Sequence, residues 1–330
     1  MPRFVTATVT AVVSERSGIQ RVEVDGQPAF VLTDLIGPVA AGDRVVVNTT
    51  AVDLGLGSGG SHVVHWNLSR QVWDRPGGGR VMKLRYTSLQ VDTAAAEEGG
   101  FFHPAADLAG KPVVACDLHS QLACVALAFR QLRPVGRLVY VMTDSAALPL
   151  VLSDSVAALR DSGVLAATVT CGQAFGGDHE AVNLYSALEV ADVVAGAEAV
   201  VVAPGPGVVG TRSGHGFTGM EVLAVGDAVS RLNGIPIVAV RWSGADPRPQ
   251  HRGVSHHTRT VLELLGRAVK VPVPRGSGCD LPGAVAVDVP DDGWEGWAGL
   301  SSMGRSYGDD PGFFRYSAAA GVAAAQLLRG

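Results

Sequence analysis

The densest group of side chains that could carry out chemistry lies between residues 241 and 258. It combines an acid, three arginines, three histidines and three hydroxyl residues: Arg241, Ser243, Asp246, Arg248, His251, Arg252, Ser255, His256, His257 and Thr258. Imidazole and carboxylate groups bind divalent metal ions, whereas guanidinium groups bind anions. The adjacent His256 and His257 fall at a predicted helix start, where successive side chains diverge by about 100°. We therefore expect one of these two to join Asp246 and His251 in a metal site completed by His119 or Asp178. Alternatively, Arg248, Arg252 and the helix start at Ser255 hold an anion.

A long glycine-rich segment, from Gly205 to Gly219, follows an apolar run and precedes a predicted helix. Backbone amides in this context can surround a phosphate or carboxylate, so we expect Gly205, Gly207, Gly210 and Thr211 to contact an anionic ligand. No Gly-Lys-Ser/Thr sequence closes the segment, which excludes a Walker A loop. The glycine spacing matches G-x-G-x-x-G, but no downstream ribose-binding acid is evident, so a nicotinamide cofactor is disfavoured. The alternative is a surface loop without a ligand.

Three further acid–base candidates follow other apolar runs. His119 comes shortly after the run Pro112–Ala115, where an imidazole can act as an acid, a base or a ligand. Asp178 and His179 follow two glycines, and they could ligate a metal or form the charged first turn of a helix. We take His119, Asp178, His179 and His256 as the catalytic candidates, and a divalent metal as a candidate cofactor.

The elements that position these residues alternate between short apolar runs and helical segments from Pro112 onward. This rhythm is typical of a parallel sheet covered by helices on both faces. In such a sheet the strand-to-helix loops emerge at the carboxyl ends of the strands, where ligands bind. We therefore expect the candidate residues to meet at that edge.

The first 68 residues follow a different pattern, with a period of two and turn signals such as Asp25-Gly26. Five short strands without a helical period indicate a small β-barrel. The predicted fold class is therefore α/β, with a doubly wound, mostly parallel sheet preceded by a small N-terminal β-barrel. We expect a barrel domain over residues 1–78 and a ligand-binding domain over residues 79–330.

The composition excludes several classes of partner. The 330 residues carry a net charge of -5, which argues against a nucleic-acid surface. No apolar run reaches the length of a membrane span, and the start of the chain shows no signal peptide. The four cysteines form no C-x-x-C pair and fit buried thiols in a reducing compartment. We expect a cytoplasmic protein that contacts neither nucleic acid nor membrane.

Several of these motifs together resemble an uncharacterised bacterial family, domain of unknown function 3866. The resemblance is carried by residues 118–120, 141–144, 146–149, 170–178, 205–211, 216–219, 245–248, 251–258 and 303–305. It extends over nearly the whole chain. The family has no established activity, so the resemblance implies kinship without a mechanism.

Our functional expectation is the binding of a small anionic or phosphorylated metabolite at the carboxyl edge of the sheet. An enzyme of the hydrolase or transferase kind would place the glycine-rich segment, Arg248 and Arg252 on the anion. The alternatives are a metabolite sensor without catalysis, and a scaffold in which the barrel docks a partner or copies of the chain assemble into a homo-oligomer. Fold alone cannot choose among these functions.

Overall fold

The computed structural model describes residues 1–56, 59–99, 107–211, 213–266, 268–290 and 299–328. The chain divides into two compact units, Met1–Ala94 and Ala95–Gly330. The division falls on the C-terminal side of the boundary predicted at residues 78 and 79. Among the described residues, no helix combines the length and the apolar character that a membrane span requires.

The first unit contains a closed five-stranded barrel, which confirms the predicted N-terminal β-barrel. Its strands are β1 (Phe4–Arg16), β2 (Ile19–Val24), β3 (Gln27–Leu32), β4 (Arg44–Asn48) and β5 (His62–Asn67), in the order β1-β2-β3-β5-β4. Two single-turn helices, α1 (Thr33–Ile36) and α2 (Thr50–Asp53), and a hairpin of β6 (Val81–Lys83) and β7 (Val91–Thr93) complete the unit. Alternate residues such as Ala7 and Val9 fill the barrel core, as a period of two requires.

The hairpin between β2 and β3 turns at Asp25-Gly26. Both residues have positive φ, 46° and 76°, which is the backbone of a two-residue turn that matches the twist of antiparallel strands. Glycine accepts this conformation without steric cost, and aspartate tolerates it better than most side chains. The turn signal therefore fixes the register of two barrel strands.

The second unit is built around a six-stranded parallel sheet. Its strands are β8 (Pro112–Ala115), β9 (Leu138–Thr143), β10 (Ala167–Cys171), β11 (His179–Ala181), β12 (Ala199–Pro204) and β13 (Ile235–Val238), in the order β11-β10-β9-β12-β8-β13. The central strands are buried at every residue, which explains their continuous apolar runs. After β8 the chain forms β9, β10 and β11 on one side of that strand. It then returns, so that β12 lies between β9 and β8 and β13 lies on the other side of β8. Such a reversal opens a crevice at the carboxyl ends of neighbouring strands.

Helices cover both faces of this sheet, so the predicted doubly wound α/β architecture is confirmed. The helices are α3 (His119–Leu132), α4 (Asp154–Asp161), α5 (Leu184–Glu189), α6 (Glu221–Arg231), α7 (His256–Leu264) and α8 (Pro311–Leu327). One face packs α3, α4 and α8 against side chains such as Tyr140, and the other packs α5, α6 and α7 against side chains such as Val139. A Cβ on Gly321 of α8 would lie 2.1 Å from the Val125 carbonyl oxygen, so glycine permits close contact with α3.

Shorter elements complete the unit. The strands are β14 (Trp242–Ser243), β15 (Gly253–Val254), β16 (Val271–Pro274) and β17 (Ala284–Val287). The 3₁₀ helices are Ala96–Gly99, Leu150–Leu152, Thr218–Met220 and Pro249–His251, and a π-helical turn, Val190–Val194, extends α5. The antiparallel pair β14 and β15 directly precedes α7, and it therefore positions the start of that helix.

Candidate functional site

A cavity of about 810 Å³ lies at the carboxyl end of the sheet. Its wall is formed by the segments that follow β8, β12 and β13 and by the start of α7. The polar and charged lining residues are Asp117, Thr211, Ser213, Thr218, Arg241, Arg248, Gln250, His251, His256 and His257. The cavity lies where ligands bind in open α/β sheets.

The three histidines of the segment 241–258 meet at this cavity. One nitrogen from each of His251, His256 and His257 lies within 4.8 Å of the corresponding nitrogens of the other two. Ser255 caps α7 by accepting a hydrogen bond from the His257 amide at 3.2 Å. The expected divergence of His256 and His257 is therefore wrong. We attribute this to the position of His256 as the first residue of α7, where no preceding helical turn restricts its ring.

Each ring is held differently. His251 Nδ1 lies 2.8 Å from Ser255 Oγ, and the His257 ring stacks on Phe217 with their centroids 3.7 Å apart. His257 Nδ1 lies 2.9 Å from Arg241 Nη1, which can only donate, so this nitrogen accepts. Burial, with the positive charge of Arg241 nearby, lowers the pKa of His251 to about 3. His251 is therefore neutral at pH 7, the form that accepts protons and binds metals.

Arg241 and Asp117 form a buried pair of charges that do not hydrogen-bond to each other. Their side chains are only 5% and 6% exposed, and Arg241 Nη1 lies 4.0 Å from Asp117 Oδ2. Neither carboxylate oxygen of Asp117 accepts a hydrogen bond from a described residue. Burial lowers the pKa of the Arg241 guanidinium. Two buried charges without hydrogen-bonded counter-charges are energetically costly, so each is a candidate ligand contact.

Asp246, Arg248 and Arg305 form a separate ion-pair network beside the cavity. Arg248 donates from Nε and Nη2 to the two oxygens of Asp246 at 2.9 and 2.8 Å, and Arg305 Nη2 lies 3.4 Å away from Oδ2. These hydrogen bonds, above all the one from the Arg248 side chain, hold the pKa of the Asp246 carboxyl well below its usual range. Because Asp246 already has arginine partners at both oxygens, it is not free to ligate a metal.

Two other predicted anion ligands of this segment do not line the cavity. Arg252 is exposed and does not contribute to the wall. Ser255 is fully buried and serves as the cap of α7 and as the partner of the His251 ring. Ser255 therefore supports the histidines rather than a ligand.

The glycine-rich segment contributes its middle part to the cavity. Gly210 and Thr211 line the wall, whereas Gly205 packs so closely on the Ala147 carbonyl that a Cβ would lie 2.3 Å from it. The Thr211 amide donates to the Gly216 carbonyl at 2.7 Å, so that amide is engaged within the segment. Arg212 lies outside the described residues. The segment shapes the cavity, and its amides are partly committed to its own hairpin.

His119 belongs to a neighbouring cavity of about 340 Å³, which Gly207 also lines. Its Nδ1 lies 2.9 Å from the Pro204 carbonyl, which fixes Nδ1–H as the donor, and its Nε2 lies 2.7 Å from Ser153 Oγ. Ser153 also caps α4 by accepting from the Val156 amide at 3.1 Å. Desolvation by burial lowers the pKa of His119. Both ring nitrogens therefore already have protein partners.

Asp178 and His179 lie away from both cavities. The sheet contains β11 as an edge strand where the sequence pattern indicated only a loop and a helix, and the two residues stand at the amino end of that strand. Asp178 accepts from the Thr168 amide and hydroxyl, both at 2.9 Å, and pairs with Arg160. These contacts give Asp178 a role in joining β10 to β11.

Sequence reasoning did not select Asp117 and Arg241. Asp117 stands two residues after β8, and Arg241 stands three residues after β13. The sequence signal for both residues is their position just beyond the carboxyl ends of buried strands. This signal is weaker than the clusters of histidine and glycine in the same loops.

Comparison with known proteins identifies the family. Residues 28–281 match the family described as protein of unknown function (DUF3866). The chain belongs to this family. No curated protein matches this chain. The matched range of the DUF3866 family covers Asp117, Arg241 and the three histidines, so these cavity residues lie within the family domain.

Proposed function

We propose that the chain binds a small anionic or phosphorylated metabolite in the cavity at the carboxyl edge of the sheet. The observation that carries this proposal is the buried guanidinium of Arg241 at the cavity wall. Within the part of the chain that the structure describes, no carboxylate accepts a hydrogen bond from it, and the nearest is Asp117 at 4.0 Å. Isolating a charge from water costs several kcal/mol, at a rough estimate, and a bound anion offsets this cost.

The surroundings of Arg241 support an anion of metabolite size. A volume of about 810 Å³ falls within the usual range for small-molecule sites. Arg248 adds a second positive group at the wall, although Asp246 balances its charge. Ser213 brings a hydroxyl that can donate to an anion, whereas the Thr211 hydroxyl already donates to the Gly216 carbonyl at 3.0 Å.

Hydrolysis or transfer of the anionic group is the chemistry that we propose for this site. Imidazole nitrogens beside the cavity can act as general bases towards a water or hydroxyl that attacks the bound group. A phosphorylated metabolite that is recovered as its dephosphorylated product would support an enzyme. A metabolite that is released unchanged after long incubation would instead identify a sensor.

The binding proposal is tested by calorimetric titration with inorganic phosphate and pyrophosphate, with glycerol as the uncharged control. Removing a desolvated charge partner costs roughly 2 to 5 kcal/mol, so Arg241→Met should weaken anion binding by about 30-fold or more. Arg252→Met is the matched control, because Arg252 is exposed and outside the cavity. Equal losses in the two variants, or no anion binding by the wild type, would contradict the proposal.

We further propose that the protein works in the cytoplasm. None of the four cysteines, all of which the structure describes, forms a disulfide; Cys116, Cys124 and Cys171 are buried thiols and Cys279 is half-buried. Burial raises the pKa of the Cys124 thiol, which keeps it protonated and unreactive. Reduced buried cysteines fit a compartment in which thiols stay reduced.

A further inference from the structure

The rings of His251, His256 and His257 lie close enough together to form a three-histidine cluster. His251 bonds Ser255 through Nδ1, which leaves its Nε2 available. No described residue hydrogen-bonds to the His256 ring, although that ring packs against its two neighbours at centroid distances of 5.0 and 4.4 Å. The candidate ligand atoms lie within 4.8 Å of one another. A metal ion at about 2.0 to 2.1 Å from each nitrogen would require the three rings to turn closer together.

Asp117 supplies a second observation that points to a ligand. Its carboxylate is 6% exposed, lines the same cavity and receives no hydrogen bond at either oxygen from a described residue. Its Oδ2 lies 3.6 Å from His257 Nδ1. Metal-binding histidines commonly donate their second nitrogen to such a carboxylate, which fixes the ring and raises its basicity. A buried carboxylate beside a histidine ring is the arrangement that a carboxylate–histidine–metal triad uses.

We propose that His251, His256 and His257 bind one divalent transition-metal ion, and that Asp117 positions the His257 ring. Three imidazoles favour zinc, iron, cobalt or nickel over magnesium or calcium, which prefer oxygen ligands. When the ion is bound, His257 Nδ1–H donates to Asp117 and Nε2 faces the metal. Arg241, which now donates to that same Nδ1, turns its guanidinium towards the cavity.

Three protein ligands leave one position of a tetrahedral metal open to the cavity. This part of the inference rests on the proposed function, because the anion would occupy or approach that position. The charges at the site then offset one another, because the metal and Arg241 are positive whereas Asp117 and the bound anion are negative. A metal in this position polarises a bound phosphoryl oxygen or activates a water, as metal-dependent hydrolases require.

The test is a titration of chelator-treated, tag-free full-length protein with Co²⁺, followed by visible absorption and by elemental analysis after desalting. Anions are left out of this titration, so that its failure and the failure of phosphate binding remain separate results. The ligand variants are His256→Ala and His256→Gln, and circular dichroism verifies that they fold. The matched control is His215→Ala, which removes an exposed histidine that does not line the cavity.

We expect one Co²⁺ per chain with the absorption of a four-coordinate site in the wild type and in His215→Ala. Both His256 variants should lose this spectrum. Asp117→Asn should keep the ion but bind it about 10 to 100 times more weakly, with a shifted spectrum, as for other residues that orient a metal ligand. Absence of stoichiometric binding in the wild type, an unchanged spectrum in the folded His256 variants, or equal losses in His215→Ala would overturn the proposal.

Discussion

Two histidine-containing clusters lie at the same edge of the sheet, and they differ in how their polar groups are satisfied. Around His119, both ring nitrogens have close protein partners, Pro204 and Ser153. Around His256, neither the ring nor the nearby Asp117 carboxylate hydrogen-bonds to a described residue. The hydrogen-bonding groups of the first cluster are therefore satisfied by the protein, whereas those of the second are not.

Whether a polar side chain is hydrogen-bonded distinguishes structural residues from ligand-binding residues more clearly than the residue type does. A buried polar group with all its hydrogen bonds made contributes to stability, whereas one without partners costs free energy that only a ligand can recover. On this basis we propose that His119 supports the fold and that the cavity of Arg241, Asp117 and the three histidines is the ligand site. Substitutions in and around the two clusters test this contrast, and we expect the largest loss of stability at His119.

His119→Ala should lower the free energy of unfolding by about 2 to 3 kcal/mol, because it removes the packing of the ring and its hydrogen bonds to the Pro204 carbonyl and Ser153 Oγ. Chemical denaturation measures the loss. Metal binding at the other cluster should be unchanged. A variant of full stability that fails to bind metal would reverse the assignment of the two clusters.

Asp246→Asn should lower the free energy of unfolding by about 2 kcal/mol. The substitution removes the counter-charge of Arg248 and Arg305, and the half-exposed Arg248 limits the cost because water can solvate it. Denaturation and elemental analysis are measured on the same sample. The metal content should equal that of the wild type, and a loss of the ion from a stable variant would make Asp246 a ligand.

The stability advantage of the wild type over His119→Ala should shrink in acid. Desolvation holds the pKa of His119 below its ordinary value in the folded protein, so the fold favours the neutral ring. This contribution is complete above the unfolded pKa of about 6.5 and is lost as the pH falls towards the folded pKa, at no more than about 1.4 kcal/mol per pH unit. Denaturation curves of both proteins measure this difference in the free energy of unfolding. They are recorded from about pH 7.5 to about pH 5, which brackets the unfolded pKa. A gap that widens in acid would be inconsistent with a neutral buried ring.

His256→Ala should change the free energy of unfolding of the metal-free protein by less than about 0.5 kcal/mol, since its ring makes no hydrogen bond to a described residue and is only half-buried. With saturating Zn²⁺, the wild type should gain thermal stability and the variant should not. A large loss in the metal-free state would place His256 with His119 as a structural residue.

The barrel, the parallel sheet and the final helix could be predicted from the sequence because each depends on local pattern. Alternation marks the strands β1 to β5, continuous apolar runs mark β8, β9 and β12, and the alanine-rich tail becomes α8. In each case a single segment contains the whole signal, and the fold class follows from the order of the segments.

The composition of the site could be predicted only in part, because it depends on which distant segments meet. The histidines of the segment 241–258 do line the cavity at the carboxyl edge, but no local pattern indicates that Arg241 lies beside Asp117 in its wall. The expectation that Asp178 lies at that edge is wrong, because β11 has only three residues and a strand this short has no recognisable sequence period. Pairing between β10 and β11, rather than local sequence, determines its position.

The most direct test of the account is a crystal structure of the protein soaked in sodium tungstate, with anomalous differences used to locate the anion. We predict a tungstate within hydrogen-bonding distance of the Arg241 guanidinium, in the cavity that Asp117 and the histidines line. Crystals of Arg241→Met should lose this peak. No tungstate in the cavity of the wild type, with tungstate only on exposed arginines such as Arg252, would contradict the claim that the buried Arg241 guanidinium holds an anion.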